Sequence, residues 1–188
     1  STSARVPKDE QAINSSIKEA NNGLLYVASF TSVTRDTVSH ARSILSSDRF
    51  ANAQFVDLGC GKGKALLVFA KLFGATRELP ALGIEYDSNL AELARQNVDK
   101  CGFEKDQIEI ITDSAVNVLH HTQSDALIIY LYNSFQGETL RSVLDALAST
   151  PHILIYVDPA EESVLTDYDY RIIERNKGSY NADTWLVA

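Results

Sequence analysis

The sequence lacks the features that mark several large classes of protein. It has only two cysteines, Cys60 and Cys101, without CxxC or metal-type spacing. This argues against a disulfide scaffold and favours a reducing compartment. No apolar run approaches the roughly 20 residues that span a membrane, and the polar N-terminal stretch has no signal-peptide core. We therefore expect a cytoplasmic protein with no membrane partner.

Positive charge is also scarce. Lysine and arginine total 17 against 25 acidic residues, so the formal net charge is −8, and no basic run occurs. A surface that binds nucleic-acid phosphates carries a basic face, so we do not expect nucleic acid as the main partner. The four histidines, at positions 40, 120, 121 and 152, show no metal-ligand spacing. We therefore propose no metal.

The apolar pattern predicts alternating strands and helices in a single domain of 188 residues. Strands are expected at 81–85, 107–111, 125–131, 152–157, 171–174 and 184–187, and a further strand ends at Val56. Helices are expected at 9–21, 33–46, 89–100 and 137–148, with another starting at Lys64 and with Ser88 as an N-cap. This order predicts a doubly wound, mostly parallel α/β sheet of seven strands that ends in an antiparallel pair. Residues 1–50 are expected to form an N-terminal helical cap on a domain of residues 51–188.

A glycine-rich turn at residues 53–69 joins the first strand to a helix. Asp57 follows the apolar strand, and Gly59, Gly61 and Gly63 come at alternate positions before Lys64. A strand, a glycine turn and a helix in this order are typical of a nucleotide-type ligand site. The G-x-G-x-G spacing is shorter than the dinucleotide fingerprint, and the carboxylate suits a cationic ligand better than a pyrophosphate. A tight turn without any ligand is the alternative.

Residues 56–63 resemble motif I of the class I S-adenosylmethionine-dependent methyltransferases. The resemblance implies the class I methyltransferase fold, with S-adenosylmethionine as the cofactor. The resemblance also implies that the amino acid end of the cofactor lies against the residues Asp57, Gly59, Cys60, Gly61 and Gly63. Cys60 has no histidine near it in sequence, so we interpret its side chain as loop packing rather than as a nucleophile.

Glu85 closes the strand predicted at 81–85, 22 residues beyond Gly63. A carboxylate at this place can accept hydrogen bonds from both hydroxyls of a ribose. The resemblance implies that Glu85 binds the ribose and that Tyr86 lies against the adenine. The alternative is a surface acid that begins a turn.

Asp113 and Ser114 follow the strand predicted at 107–111. The resemblance implies that the Asp113 carboxylate accepts a hydrogen bond from the adenine amino group and that the Ser114 amide serves a ring nitrogen. Aspartate and serine also begin helices and turns for purely local reasons.

Residues 129–137 terminate the predicted strand at 125–131, the most apolar one, and contain Tyr132, Asn133, Ser134 and Phe135. They resemble motif IV of methyltransferases with an Asn-Pro-Phe signature, with Ser134 at the place of the proline, and also the Asn-Asn-Phe segment of histone-lysine methyltransferases that lack a SET domain. The resemblance implies that Asn133 and the neighbouring carbonyl, with Tyr132, hold the methyl-accepting atom, and that Phe135 lines the pocket. A strand end with an aromatic core residue is the alternative.

Two further places are candidates for the same crevice. Asp158 follows the strand predicted at 152–157, where it could act as a base or shape the pocket, or initiate a turn before Pro159. Tyr26, Ser29 and Thr31 occupy the place where related enzymes carry a loop over the methionine end of the cofactor. A plain core aromatic is the alternative for Tyr26.

The sequence therefore favours a methyltransferase that acts on nitrogen or oxygen of a small molecule, or of a protein side chain such as lysine. A non-catalytic cofactor-binding or partner module is a second hypothesis, which Ser134 in place of proline favours. An NAD-dependent oxidoreductase is a third, and the glycine spacing and Asp57 argue against it.

Overall fold

A seven-stranded sheet lies at the centre of the computed structural model, which describes residues 29–179 and 184–188. The strands are β1 (Gln54–Leu58), β2 (Ala81–Glu85), β3 (Ile108–Thr112), β4 (Leu127–Tyr132), β5 (His152–Val157), β6 (Glu174–Asn176) and β7 (Trp185–Val187). Their order in the sheet is β3-β2-β1-β4-β5-β7-β6. Strands β1 to β5 are mutually parallel, whereas β7 runs antiparallel to both β5 and β6. The predicted doubly wound sheet with a C-terminal antiparallel pair is confirmed.

Helices cover both faces of this sheet. They are α1 (Thr31–Ile44), α2 (Ser47–Asn52), α3 (Lys64–Phe73), α4 (Ser88–Lys100), α5 (Gly137–Leu147) and α6 (Val164–Asp167), and a 3-10 helix spans Ala115–His120. Helices α1, α3 and α4 share one core with Phe55, while α5, α6 and the 3-10 helix share the other core with Val56. Because both faces are covered, every residue of β1 is buried, including the polar Gln54 and Asp57.

Several predicted boundaries were wrong by a few residues. The helix expected at 33–46 lies at Thr31–Ile44, and a further helix that was not predicted, α2, follows it because the Ser46 hydroxyl accepts a hydrogen bond from the Arg49 amide. Strand β1 continues to Leu58, so Asp57 lies inside the strand. The N-cap of α4 is Asp87 rather than Ser88, because the Asp87 carboxylate accepts hydrogen bonds from the amides of Asn89 and Leu90. The strand expected at 171–174 lies later, at Glu174–Asn176.

Two predictions for the N-terminal region, the helix over 9–21 and the placement of Tyr26, lie outside the described residues. The division into a cap of residues 1–50 and a domain of residues 51–188 stays a prediction. None of the helices described in the structure is both long and apolar enough to cross a membrane.

Candidate functional site

The glycine turn between β1 and α3 has the backbone that only glycine adopts easily. Gly59, Gly61 and Gly63 have φ angles of 74°, 55° and 78°. Space at Gly59 is also restricted, because an added Cβ would lie 2.6 Å from the Cβ of Ser134. The turn after β1 is therefore in direct contact with the segment after β4, which contains the predicted acceptor residues.

The amides of this turn are hydrogen-bonded within the protein. Gly59 and Cys60 both donate to the Ile84 carbonyl, at 2.8 and 3.1 Å, and Gly63 donates to the Cys60 carbonyl at 2.9 Å. Gly61 donates to Glu85 Oε2 at 2.8 Å. A pyrophosphate needs amides that point at the ligand, so this arrangement does not suit one. The Cys60 side chain is buried against Gly83, and burial raises the pKa of its thiol, as expected for a packing residue.

Asp57 and Glu85 form a buried acidic pair at the carboxyl ends of β1 and β2. Only 4% of Asp57 and 8% of Glu85 are exposed. Burial, and then the charge of Glu85, raises the pKa of Asp57 to about 8. Burial also raises the pKa of Glu85, although the amides of Asp87 and Gly61 oppose this shift. No lysine or arginine of the described residues forms a salt bridge with either carboxyl group. The pair is therefore suited to a cationic ligand.

A group of hydroxyls that the sequence did not reveal lies beside Asp57. Asp57 is in register with Tyr130 of β4, and the Tyr130 hydroxyl lies 3.2 Å from the Thr34 hydroxyl of α1. Ser29 extends this group at 3.4 Å from Thr34 and is buried, whereas Thr31 is exposed, and their predicted place over the cofactor stays a prediction. The sequence did not single out Tyr130, because it lies within an apolar strand and the strand pattern does not show where its hydroxyl points.

Tyr86 and Asp113 lie where β2 and β3 end. Tyr86 is 49% exposed, so its ring is accessible to a ligand. The Asp113 carboxylate accepts from the Ser114 amide at 2.7 Å, from Asn117 Nδ2 at 3.0 Å and from His121 Nε2 at 2.8 Å. The hydrogen bonds from His121, Asn117 and Ser114 lower the pKa of Asp113 to about 2. The Ser114 amide, predicted to face a ring nitrogen, already donates to its neighbour.

Asn133 and Asp158 follow the adjacent strands β4 and β5, and both have left-handed backbones, with φ angles of 38° and 49°. Asn133 Nδ2 donates to Asp158 Oδ2 at 3.2 Å. Asn133 Oδ1 is buried and has no hydrogen-bond partner among the described residues. Two strained residues and an unpaired buried acceptor in one place are typical of a functional site.

The rest of the acceptor side is held by contacts between loops. The Ser134 hydroxyl donates to the Tyr132 carbonyl at 3.2 Å, and burial raises the pKa of the Tyr132 hydroxyl, with a smaller contribution from Asp158. Glu161, which the sequence did not single out, accepts from the Gly137 amide at 2.8 Å and so joins the loops after β4 and β5. No group of three metal-ligating side chains occurs in residues 29–179 or 184–188.

The sheet order places the predicted site residues in a row. Asp113 follows β3, Glu85 ends β2, the glycine turn follows β1, Asn133 follows β4 and Asp158 follows β5. These five strands are consecutive neighbours in the sheet, and all present their carboxyl ends to the same edge. In doubly wound folds, ligands bind at this edge.

Comparison with known proteins shows which fold this is. No protein-family model matches the sequence, and neither does any curated protein. Among solved structures, precorrin-6y C5,15-methyltransferase from Geobacter metallireducens is similar with a TM-score of 0.61 and 16% identity, over 90% of this chain and 91% of that chain. Magnesium protoporphyrin IX methyltransferase from Synechocystis was solved with bound S-adenosylmethionine. It is similar with a TM-score of 0.58 and 15% identity, over 98% of this chain and 97% of that chain.

A third similar structure is the ribosomal protein L11 methylase from Lactobacillus delbrueckii, with a TM-score of 0.58 and 17% identity, over 84% of this chain and 75% of that one. These structures share the class I methyltransferase fold with this chain, and its sheet order of β3-β2-β1-β4-β5-β7-β6 with an antiparallel β7 is the order of that fold.

Proposed function

We propose that this chain, which has the class I methyltransferase fold, binds S-adenosylmethionine and transfers its methyl group to an amine nitrogen. One observation carries the proposal: the order of chemical groups along the edge of the sheet. Asp113 and Tyr86, Glu85, Asp57 and Asn133 stand in the order in which adenine, ribose, the methionine portion and a methyl acceptor would follow one another.

The acidic pair fits the cofactor. The amino group and the sulfonium of S-adenosylmethionine are cationic, and a cation beside Asp57 would restore its ionised form. Each oxygen of Glu85 accepts one backbone amide. A carboxylate oxygen can accept two hydrogen bonds, so each retains one position for a ribose hydroxyl. A dinucleotide would instead bring a pyrophosphate to two buried carboxyl groups.

The Asn133 side chain suits an amine acceptor. Its Oδ1 atom can only accept a hydrogen bond, and the bond from Nδ2 to Asp158 fixes its direction. An amine can donate one N–H to Oδ1 and present its lone pair to the methyl group. Bound S-adenosylmethionine would supply the methyl group, and the electron pair of its C–S bond would pass to sulfur as the new C–N bond forms. The proton that the amine loses goes to Asp158, and positioning supplies much of the acceleration.

Binding without methyl transfer is a second candidate, favoured by Ser134 at the place of the motif proline. The named acceptors of the similar structures, a ribosomal protein, precorrin-6y and magnesium protoporphyrin IX, differ so widely that the fold does not select one. A small molecule and a protein side chain such as lysine therefore both fit the proposal.

Calorimetric titration tests the proposal. We expect micromolar binding of S-adenosylmethionine and S-adenosylhomocysteine and no heat with NAD. Absence of binding of both S-adenosylmethionine and S-adenosylhomocysteine would refute the proposed function. Transfer of a labelled methyl group to amines in a panel of amines, alcohols and lysine-containing peptides would then separate the enzyme from the binding module.

A further inference from the structure

His121 contacts Asp113, the predicted adenine-binding residue. No sequence motif predicts this contact. The His121 Nε2 atom lies 2.8 Å from Asp113 Oδ2. The contact is held in place by the 3-10 helix between the two residues. Ala115 and Val118 of this helix are buried in the core, and the His121 amide donates to the Val118 carbonyl at 3.1 Å.

The hydrogen bonds of Asp113 leave one acceptor position open. The Ser114 amide and Asn117 Nδ2 both donate to Oδ1, and His121 donates to Oδ2. An ionised carboxylate has about four acceptor positions, two on each oxygen. The remaining position therefore belongs to Oδ2, the oxygen that His121 contacts. The Asp113 side chain is 31% exposed, so a ligand can reach it.

The charge state of Asp113 decides the direction of the bond with His121. The pKa of Asp113 is lowered to about 2, so its carboxylate is ionised at any working pH and can only accept. His121 Nε2 therefore carries the proton in this contact. With that donor on one lone pair of Oδ2, the other lone pair has a fixed direction.

We propose that His121 is a positioning residue of the adenine subsite, where it sets selectivity for a base with an exocyclic amino group by orienting the open acceptor position of Asp113. This inference rests on the proposed function, because it requires that the adenosine part of the cofactor binds at Asp113. His121 acts through Asp113 and does not itself contact the base. Without it, Oδ2 can turn to water and loses its preference for one donor.

The test compares two ligands that differ only at the amino group. S-adenosylhomocysteine carries it, and the purine riboside analogue, S-nebularylhomocysteine, has a hydrogen atom in its place, which makes no bond to a carboxylate. Because a hydrogen bond to a charged group is involved, we expect the wild type to prefer the adenosyl ligand by about tenfold or more. His121→Leu and His121→Ala should reduce this preference to within about threefold, mainly by weakening S-adenosylhomocysteine.

Two further variants separate positioning from structure. His121→Gln keeps an N–H donor at a similar reach and should retain most of the preference. His120→Leu changes the exposed neighbour and should behave as the wild type does. Equal weakening of both ligands in His121→Leu and His121→Ala would show a merely structural role and overturn the proposal.

Different results would refute the proposed function and the role of His121. A wild type that binds S-adenosylhomocysteine and S-nebularylhomocysteine equally overturns the role of His121 and leaves the function intact. A wild type that binds neither ligand refutes the function itself.

Discussion

The Gly61 amide donates a hydrogen bond to Glu85 Oε2 at 2.8 Å and so joins the glycine turn after β1 to the end of β2. The second oxygen, Oε1, accepts from the Asp87 amide at 2.9 Å. Glu85 therefore has two roles in the account: it shapes the turn, and it offers its remaining acceptor positions to a ribose.

Glu85→Gln should weaken S-adenosylhomocysteine binding by about 10- to 100-fold, because a glutamine has one acceptor oxygen and its NH₂ group would face one of the two amides. The same conflict should lower the melting temperature. Titration calorimetry and thermal unfolding measure the two effects. Glu92→Gln on the exposed side of α4 is the control and should change neither. Unchanged affinity in Glu85→Gln would rule out ribose binding by this carboxylate.

Asp57 should make the stability of the unliganded protein fall as pH rises. The pKa of this buried group is about 8 in the folded state, against its usual value of 3.8. Between these values the folded state holds a proton that the unfolded state has released. The contribution is thus fully present below pH 3.8 and is lost as pH rises through 8, at about 1.4 kcal/mol per pH unit.

Asp57→Asn should remove this dependence of stability on pH. It should also weaken the binding of S-adenosylhomocysteine by about tenfold or more at pH 8. Denaturant unfolding of both proteins from pH 5 to 9 checks the difference between them, and Asp99→Asn on the surface of α4 serves as the control. Parallel pH profiles for wild type and Asp57→Asn would contradict the raised pKa.

Asn133→Gly should abolish most methyl transfer without loss of stability. Glycine adopts a φ of 38° readily, so the variant keeps the turn and loses only the amide that faces the acceptor. We expect kcat to fall by about 100-fold and the affinity for S-adenosylhomocysteine to stay within about twofold. Turnover with a labelled methyl group and calorimetry give the two values. Retained turnover would remove Asn133 from the acceptor site.

Ser134→Pro should destabilise the protein even though proline is the residue of the related motif. Proline restricts the preceding residue to extended backbone, which conflicts with the left-handed Asn133 and would break its bond to Asp158. A strain of about 1–3 kcal/mol corresponds to a melting temperature lower by roughly 2–12 °C. Ser134→Ala removes only the bond to the Tyr132 carbonyl and should cost much less. A more stable proline variant would contradict the backbone geometry.

The fold was predictable from the sequence because the spacing of apolar residues and the positions of glycine and proline agree with its strands, helices and turns. β2 and β5 have the predicted bounds, since each is a short apolar run between polar residues. The candidate site was predictable as a set of strand ends, because parallel strands bring their carboxyl ends to one edge. The roles assigned to its residues remain proposals.

Individual contacts between side chains could not be predicted in the same way. The pairs Asp113 with His121 and Asn133 with Asp158 depend on loop geometry that has no period. The Thr34 and Tyr130 hydroxyls belong to residues that follow helical and strand patterns, and only the packing of α1 on β4 brings them together. The missed start of α2 has a local cause, the Ser46 cap.

A crystal structure of the complex with S-adenosylhomocysteine tests the central claim most directly. We expect the adenine between Tyr86 and Asp113, the ribose hydroxyls on Glu85, the homocysteine amino group beside Asp57 and the sulfur directed toward Asn133. A ligand bound away from the carboxyl ends of β1 and β2, or with its adenine at Asn133, would contradict it.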